Sequence, residues 1–227
     1  MQELEQKAFL LHSRPYRDHK VIVEFLTEQQ GKISAIAYVG TSIKSNKKAL
    51  LQPFLPLKIV LKGQGSLKSL ARIEADKKSM LLTGDFLYSG FYLNELQVRL
   101  LGEHIPYEAL FIQYQNCLQE LAEKQPLEAI LRKFENTLLD ELGLTIDYSV
   151  IFEQNHQQYN YLAEQGFTPV LTRSSQTCYL REHLISLAEQ DFSNSQVMHT
   201  YKLLMRQVFN HLLGGKPLNS RKLFKRN

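Results

Sequence analysis

The spacing of apolar residues changes once along this chain, near residue 80, and that change restricts the fold more than any other feature. From residue 7 to 75 the apolar residues come in short runs broken by turn chemistry: AFLLH (8–12), VIVEFLT (21–27), KISAIAYV (32–39), FLPLKIVLK (54–62) and SLKSLARIE (66–74). No 3.6-residue period survives three turns there, so the runs read as strands. Gly31 follows Glu28-Gln29-Gln30, where a hairpin loop needs positive φ, and Gly63-Gln64-Gly65 joins the fourth run to the fifth. Five short strands with one longer connection, Gly40 to Pro53, fit an OB-type Greek-key barrel or another small barrel of SH3-like kind.

Beyond Met80 the period becomes helical. Phe86, Leu87, Gly90, Phe91, Leu93, Leu96 and Leu100 make a broad apolar stripe in which Gly90 permits close packing. Tyr107, Leu110, Phe111, Tyr114, Leu118 and Leu121 form a second stripe that includes Cys117, read as a small buried hydrophobe. A third helix has both ends marked, by Pro126 in its first turn and Gly143 at its stop. Residues 144–180 lose the period and read as an irregular or short-stranded insertion. Helices follow near 181–190 and 195–213, the last closed by Gly214-Gly215 and Pro217. The expected architecture is α+β: a barrel over 1–79, a helical domain over 80–227 with the insertion at 144–180, and a basic C-terminal tail at 214–227.

Charge is segregated along the chain. Residues 1–80 hold 14 Lys+Arg against 7 Asp+Glu, residues 81–213 hold 8 against 16, and the last fourteen hold 5 against none. Basic ends flanking an acidic middle point to polyanionic partners, nucleic acid or anionic lipid. Cys117 and Cys178 are the only cysteines, too few for a disulfide framework or a four-Cys zinc site. The seven His are scattered without a ligand spacing, and no window is apolar enough to span a membrane. No P-loop, G-x-S-x-G elbow or metal-binding carboxylate cluster is present, so catalysis is not expected. The composition is that of a cytoplasmic protein without cofactor or metal.

Six strings then resemble one family in order along nearly the whole chain. AFLLHSRPYRD, FLTEQQGKISAIAYVG and ALLQPFLPL are similar to the N-terminal OB domain of RecO proteins, and LYSGFYLNELQVRLL, LRKFENTLLDELG and GGKPLNSRKLF continue the resemblance. It implies an OB barrel, a helical second domain and a non-enzymatic role in recombinational repair. Such proteins bind single- and double-stranded DNA, anneal complementary strands, join RecR and help load RecA onto strands covered by single-stranded-DNA-binding protein (SSB). Many members carry four zinc-ligating Cys after the third helix, where this chain has Asp147, Tyr148, Val150 and Phe152. It resembles the zinc-free members of some gammaproteobacteria, whose insertion must be held by packing and hydrogen bonds.

Candidate DNA contacts in the barrel are Arg14, Arg17, Lys20, Lys32, Lys44, Lys47, Lys48, Lys62, Lys68 and Arg72, with Tyr16 and Tyr38 as possible stacking faces. Lys44, Lys47 and Lys48 lie in the long connection, as a basic finger. At the C-terminus, Lys216, Arg221, Lys222, Lys225 and Arg226 are expected to form an arm that adds affinity for DNA. The SSB tail ends in acids and a Pro-Phe carboxylate, so its receptor needs a cation and an apolar slot. By the family resemblance these are Arg132 and Lys133 with Leu131 and Phe134. By the residues alone, Arg132 and Lys133 are ion-pair partners of Glu128, Glu135 or Asp140 on one helix. The rival readings are a plain single-strand-binding OB protein and an adaptor whose basic ends bind acidic proteins.

Overall fold

The computed structural model describes residues 5–40, 47–171 and 176–225. Five strands open the chain: β1 (Glu5–Pro15), β2 (Lys20–Thr27), β3 (Gly31–Tyr38), β4 (Leu57–Lys62) and β5 (Leu67–Ala75), with a one-turn helix α1 (Lys47–Leu50) between β3 and β4. They close into a barrel in the order β1-β2-β3-β5-β4, with β4 pairing back onto β1. β3 and β5 run parallel and every other neighbour is antiparallel, which is the OB arrangement and settles it against the SH3-like alternative. Alternate residues line the interior: Ala8 and Leu10, Val23 and Phe25, Ala35 and Ala37, Leu57 and Ile59, Leu70 and Ile73. The small Ala35 and Ala37 leave room for Phe25 in so narrow a barrel.

Then come α2 (Gly84–Leu100), α3 (Glu108–Ala122), α4 (Leu127–Glu141), α5 (Ser149–Glu153), strands β6 (Gln158–Leu162), β7 (Gly166–Pro169) and β8 (Cys178–Leu180), α6 (Arg181–Ala188), α7 (Ser195–Leu212) and a C-terminal 3-10 turn (Ser220–Lys225). No helix among the described residues is long and apolar enough to cross a membrane. The chain forms two compact units, Met1–Thr137 with Leu218–Asn227, and Leu138–Pro217. The first unit thus takes in α2, α3 and most of α4 beside the barrel.

In the first unit, α2 is fastened to β1. The Asn94 amide donates to the Leu11 carbonyl at 3.1 Å and accepts from the Tyr114 hydroxyl at 2.5 Å. Phe9, on the outer face of β1, packs edge-on against Tyr114 at 5.2 Å, and Tyr114 in turn meets Phe134 at 6.2 Å. Gly90 has the role expected of it: a Cβ there would lie 2.8 Å from the rings and methyls of Phe54 and Leu82. Gly31 has φ +66, and its added Cβ would fall 1.7 Å from the Ile105 carbonyl oxygen, so both conformation and contact demand glycine. Cys117 is fully buried, and burial pushes its thiol up to about 12.

One expectation is narrowed here and another changes. The insertion 144–180 takes the short-stranded alternative: its strands pair as β7-β6-β8. Phe167 packs against Tyr148 and Tyr161 at 5.3 and 5.1 Å, and Tyr159 is wholly buried. The described part of the C-terminal segment is docked rather than an arm. Leu218 and Ser220 are buried, Phe224 meets Tyr88 at 5.5 Å, and the Glu95 carboxylate accepts from the Asn219 and Ser220 N–H groups and the Ser220 hydroxyl at 2.8–2.9 Å. Burial opposes ionisation of Glu95, but those bonds and Arg99 hold its carboxyl below the usual range.

Candidate nucleic-acid interface

The register of the barrel gathers one set of cations. Arg14 lies opposite Ile22, Ile22 opposite Ile36, Ile36 beside Ser69, and Ser69 opposite Lys62, so one row crosses all five strands from the β1–β2 turn to the β4–β5 turn. One row nearer the β1–β2 turn Lys20 faces Tyr38. Directly opposed residues share a face of the sheet, which sets Lys20 and Tyr38, and Arg14, Ile22 and Ile36, on the outside of the barrel. Leu67 is exposed beside them, opposite Ser34. Arg17 projects from the β1–β2 turn. Lys68 sits at the other turn, donating to the Gly63 carbonyl at 3.1 Å.

Segments 13–22, 36–40 and 61–70, which cross or flank this outer face, hold Arg14, Arg17, Lys20, Lys62 and Lys68 against Asp18 alone. Five cations around a half-apolar face carrying an exposed aromatic suit a single-stranded polyanion, whose phosphates need charge and whose bases need flat apolar surface.

The other candidates are dispersed. Arg72 is exposed on β5 opposite Val60. Lys47 is half-buried, with its ammonium on the Ala71 carbonyl at 3.3 Å, while Lys48 is exposed. Lys44 lies outside the described residues. Lys216 is exposed in the second unit, whereas Arg221, half-buried, and Lys222, exposed, belong to the first. Lys32 requires correction: it is 8% exposed and donates to the Val98 carbonyl at 2.8 Å. Burial lowers its ammonium below the ordinary value, against the pull of Glu24 and Glu103. It serves the docking of the barrel on α2 and offers no charge to a ligand.

On α4 both bases are ion-paired, Arg132 within its own helix as the residues alone suggest and Lys133 with Glu120 of α3 instead. Arg132 is 8% exposed, its guanidinium 2.7 Å from the fully buried Glu135, whose other oxygen accepts from the Tyr92 hydroxyl at 2.5 Å. Burial first, then Glu135, hold that phenol well above its ordinary value. Phe134 is core, and Leu131 is half-buried. Lys133 is exposed and pairs with Glu120 at 3.1 Å. Of the four residues, Lys133 and the edge of Leu131 are at the surface.

Ile22, Ile36 and Leu67 are absent from a reading based on cations and tyrosines. Their signal is in the sequence: once Gly31 places the β2–β3 turn, the register sets Ile22 against Ile36 and Lys20 against Tyr38. His19, whose ring lies 6.4 Å from that of Tyr38, has no comparable signal.

The closed barrel, its basic outer face and the helices that follow define a class, OB-barrel proteins with a charged face suited to a nucleic-acid backbone. Comparison narrows it: residues 1–77 match the family described as Recombination protein O N terminal, and residues 82–154 match Recombination protein O C terminal. The chain belongs to the RecO family, a family of DNA repair proteins. It is 40% identical over 223 residues to the DNA repair protein RecO of Coxiella burnetii (strain RSA 493 / Nine Mile phase I), covering 96% of each chain. To that of Cellvibrio japonicus it is 39% identical over 227 residues, covering 96% of this chain and 95% of the relative. To that of Aliivibrio salmonicida it is 35% identical over 229 residues, covering 99% and 96%.

Proposed function

We propose that this protein is a non-enzymatic mediator of recombinational DNA repair, working in the cytoplasm on the nucleoid. It binds single- and double-stranded DNA, anneals complementary strands and, with RecR, helps load RecA onto SSB-coated DNA. The observation that carries this reading is the barrel face with five cations against one carboxylate beside an exposed aromatic. Two complementary strands repel each other through their phosphates. A surface that neutralises phosphates releases condensed counterions and lowers that repulsion without nucleotide hydrolysis or metal. Arg14, Arg17, Lys20, Lys62 and Lys68 supply the charge, and Arg72 and Lys48 extend it. Lys133 meets the SSB tail, whose carboxylate takes it from Glu120, while Arg132 stays with Glu135.

The test is annealing of two complementary oligonucleotides pre-coated with SSB, followed by fluorescence quenching, in EDTA and without ATP. Acceleration by this protein is expected. Tight binding to bare single strands together with slowed annealing would instead identify a strand protector, and binding to neither DNA nor SSB would overturn the reading.

A further inference from the structure

Two tyrosines lie on the β1–β2 turn side of this face, and they are not equivalent. Tyr16 is half-buried, and the guanidinium carbon of Arg17 lies 5.3 Å from its ring centroid, so a neighbour already occupies it. Tyr38 is 56% exposed; the His19 ring meets it at 6.4 Å with the planes 66° apart, an edgewise contact that leaves Tyr38 open to solvent. The turn that delivers His19 is strained. Arg17 and His19 have φ of 51° and 58°, in the left-handed region that residues other than glycine seldom occupy. It is held there by backbone bonds: the Tyr16 N–H donates to the Lys20 carbonyl at 2.9 Å, and the Val39 N–H to the His19 carbonyl at 2.8 Å. The strain is therefore sustained beside the one open ring, as at sites organised before a ligand arrives.

We infer that Tyr38 is a base-stacking platform and makes this face of the barrel favour unpaired strand over duplex; the inference rests on the reading of that face as a DNA surface. Lys20, directly opposite Tyr38 on β2, and Arg14, one strand further on in the next row, set two cations on one side of the ring, and Ile22 and Ile36 give an apolar floor for sugars. A duplex keeps its base faces stacked inside and can use only the cations. A single strand can use the ring as well, and since every base has a π-face the preference is for strandedness rather than sequence.

The chain contains no Trp, so Tyr38→Trp introduces a lone indole reporter. Titration with oligothymidylate should quench its emission, and an equal length of duplex should leave it nearly unchanged. Tyr38→Leu should weaken binding to oligothymidylate about tenfold and to duplex less than about twofold, with Tyr38→Phe near wild type. Far-UV circular dichroism checks that each variant folds, which the exposure of Tyr38 favours. Equal losses on both DNAs, or none on either, would overturn the stacking role. The charge reversals Lys62→Glu and Lys68→Glu separate the two claims: if they weaken both DNAs while Tyr38→Leu weakens neither, only the stacking fails. If neither set of changes alters binding, the reading of this face as a DNA surface fails with it.

Discussion

Two parts of the barrel surface are made of the same five strands and hold similar numbers of lysines, yet they surround them with different numbers of acids. Around the start of β1 and the β2–β3 turn, Lys7 pairs with Glu28 at 2.9 Å, Lys58 with Asp76 at 3.4 Å, and Lys32 is buried on a helix carbonyl. Ser34 there donates to Glu103 at 2.6 Å, and the His104 N–H donates to the Lys32 carbonyl at 3.0 Å, so that turn is covered by the α2–α3 connection. On the outer face between the β1–β2 and β4–β5 turns, five cations share one carboxylate, that of Asp18. Lysine count therefore says little about nucleic-acid affinity. What matters is how much of the charge the protein's own carboxylates already offset.

The largest expected effect is on the covered β2–β3 turn. Gly31→Ala forces a Cβ onto the Ile105 carbonyl and should cost about 3 kcal/mol or more in urea denaturation. Gly65→Ala in the β4–β5 turn, where a Cβ meets nothing within 4 Å, should change stability by less than about 0.5 kcal/mol. Equal losses would mean that the two turns are packed alike.

Next is DNA affinity. Lys62→Glu with Lys68→Glu should weaken single-strand binding roughly fiftyfold at about 0.1 M salt and reduce the slope of log affinity against log salt by about two. Filter binding across a salt series measures both, and an unchanged slope would remove the β4–β5 turn from the interface.

A smaller effect is expected at Lys32. Its pKa is lowered in the folded state, so the unfolded chain holds the proton more tightly, and the wild type should gain stability as pH rises from the lowered value toward 10.5. Lys32→Met should abolish that rise, shift stability at neutral pH by no more than about 1 kcal/mol, and leave DNA binding intact. Denaturation curves over that alkaline window, with binding assays alongside, test all three. Smallest of all, Lys7→Glu with Lys58→Glu should alter single-strand affinity less than about twofold, since those ammonium groups are already paired. A loss as large as that of the Lys62 and Lys68 pair would erase the distinction between the two surfaces.

Much of this fold could be read from residue spacing. The shift of period near residue 80, Gly31 at a positive-φ turn, the Gly63–Gly65 hairpin, Gly90 in a close contact and the Gly143 stop are all local signals, and they correspond to local geometry. The strands of 144–180 were harder to place, because β6, β7 and β8 have five, four and three residues, too short for alternation to show. Burial of charge was not legible. Nothing near Lys32 in sequence announces that the Val98 carbonyl, 66 positions on, will take its ammonium. Glu135 stood three residues from Arg132 in plain view, but its complete burial depends on Tyr92, 43 residues away. The candidate site divides in the same manner: exposed cations on turns were legible, and those absorbed by tertiary contacts were not.

The Glu95 clasp on Asn219 and Ser220 bears on the order in which the protein can be made. The stretch that completes the first unit is translated after the whole of Leu138–Pro217, so a growing chain emerging from the ribosome exposes the α2 surface bearing Tyr88 and Glu95 for as long as the second unit takes to be synthesised. The barrel can close early from local hairpins, whereas its helical flank is finished last, by a segment that must find its place from far along the chain.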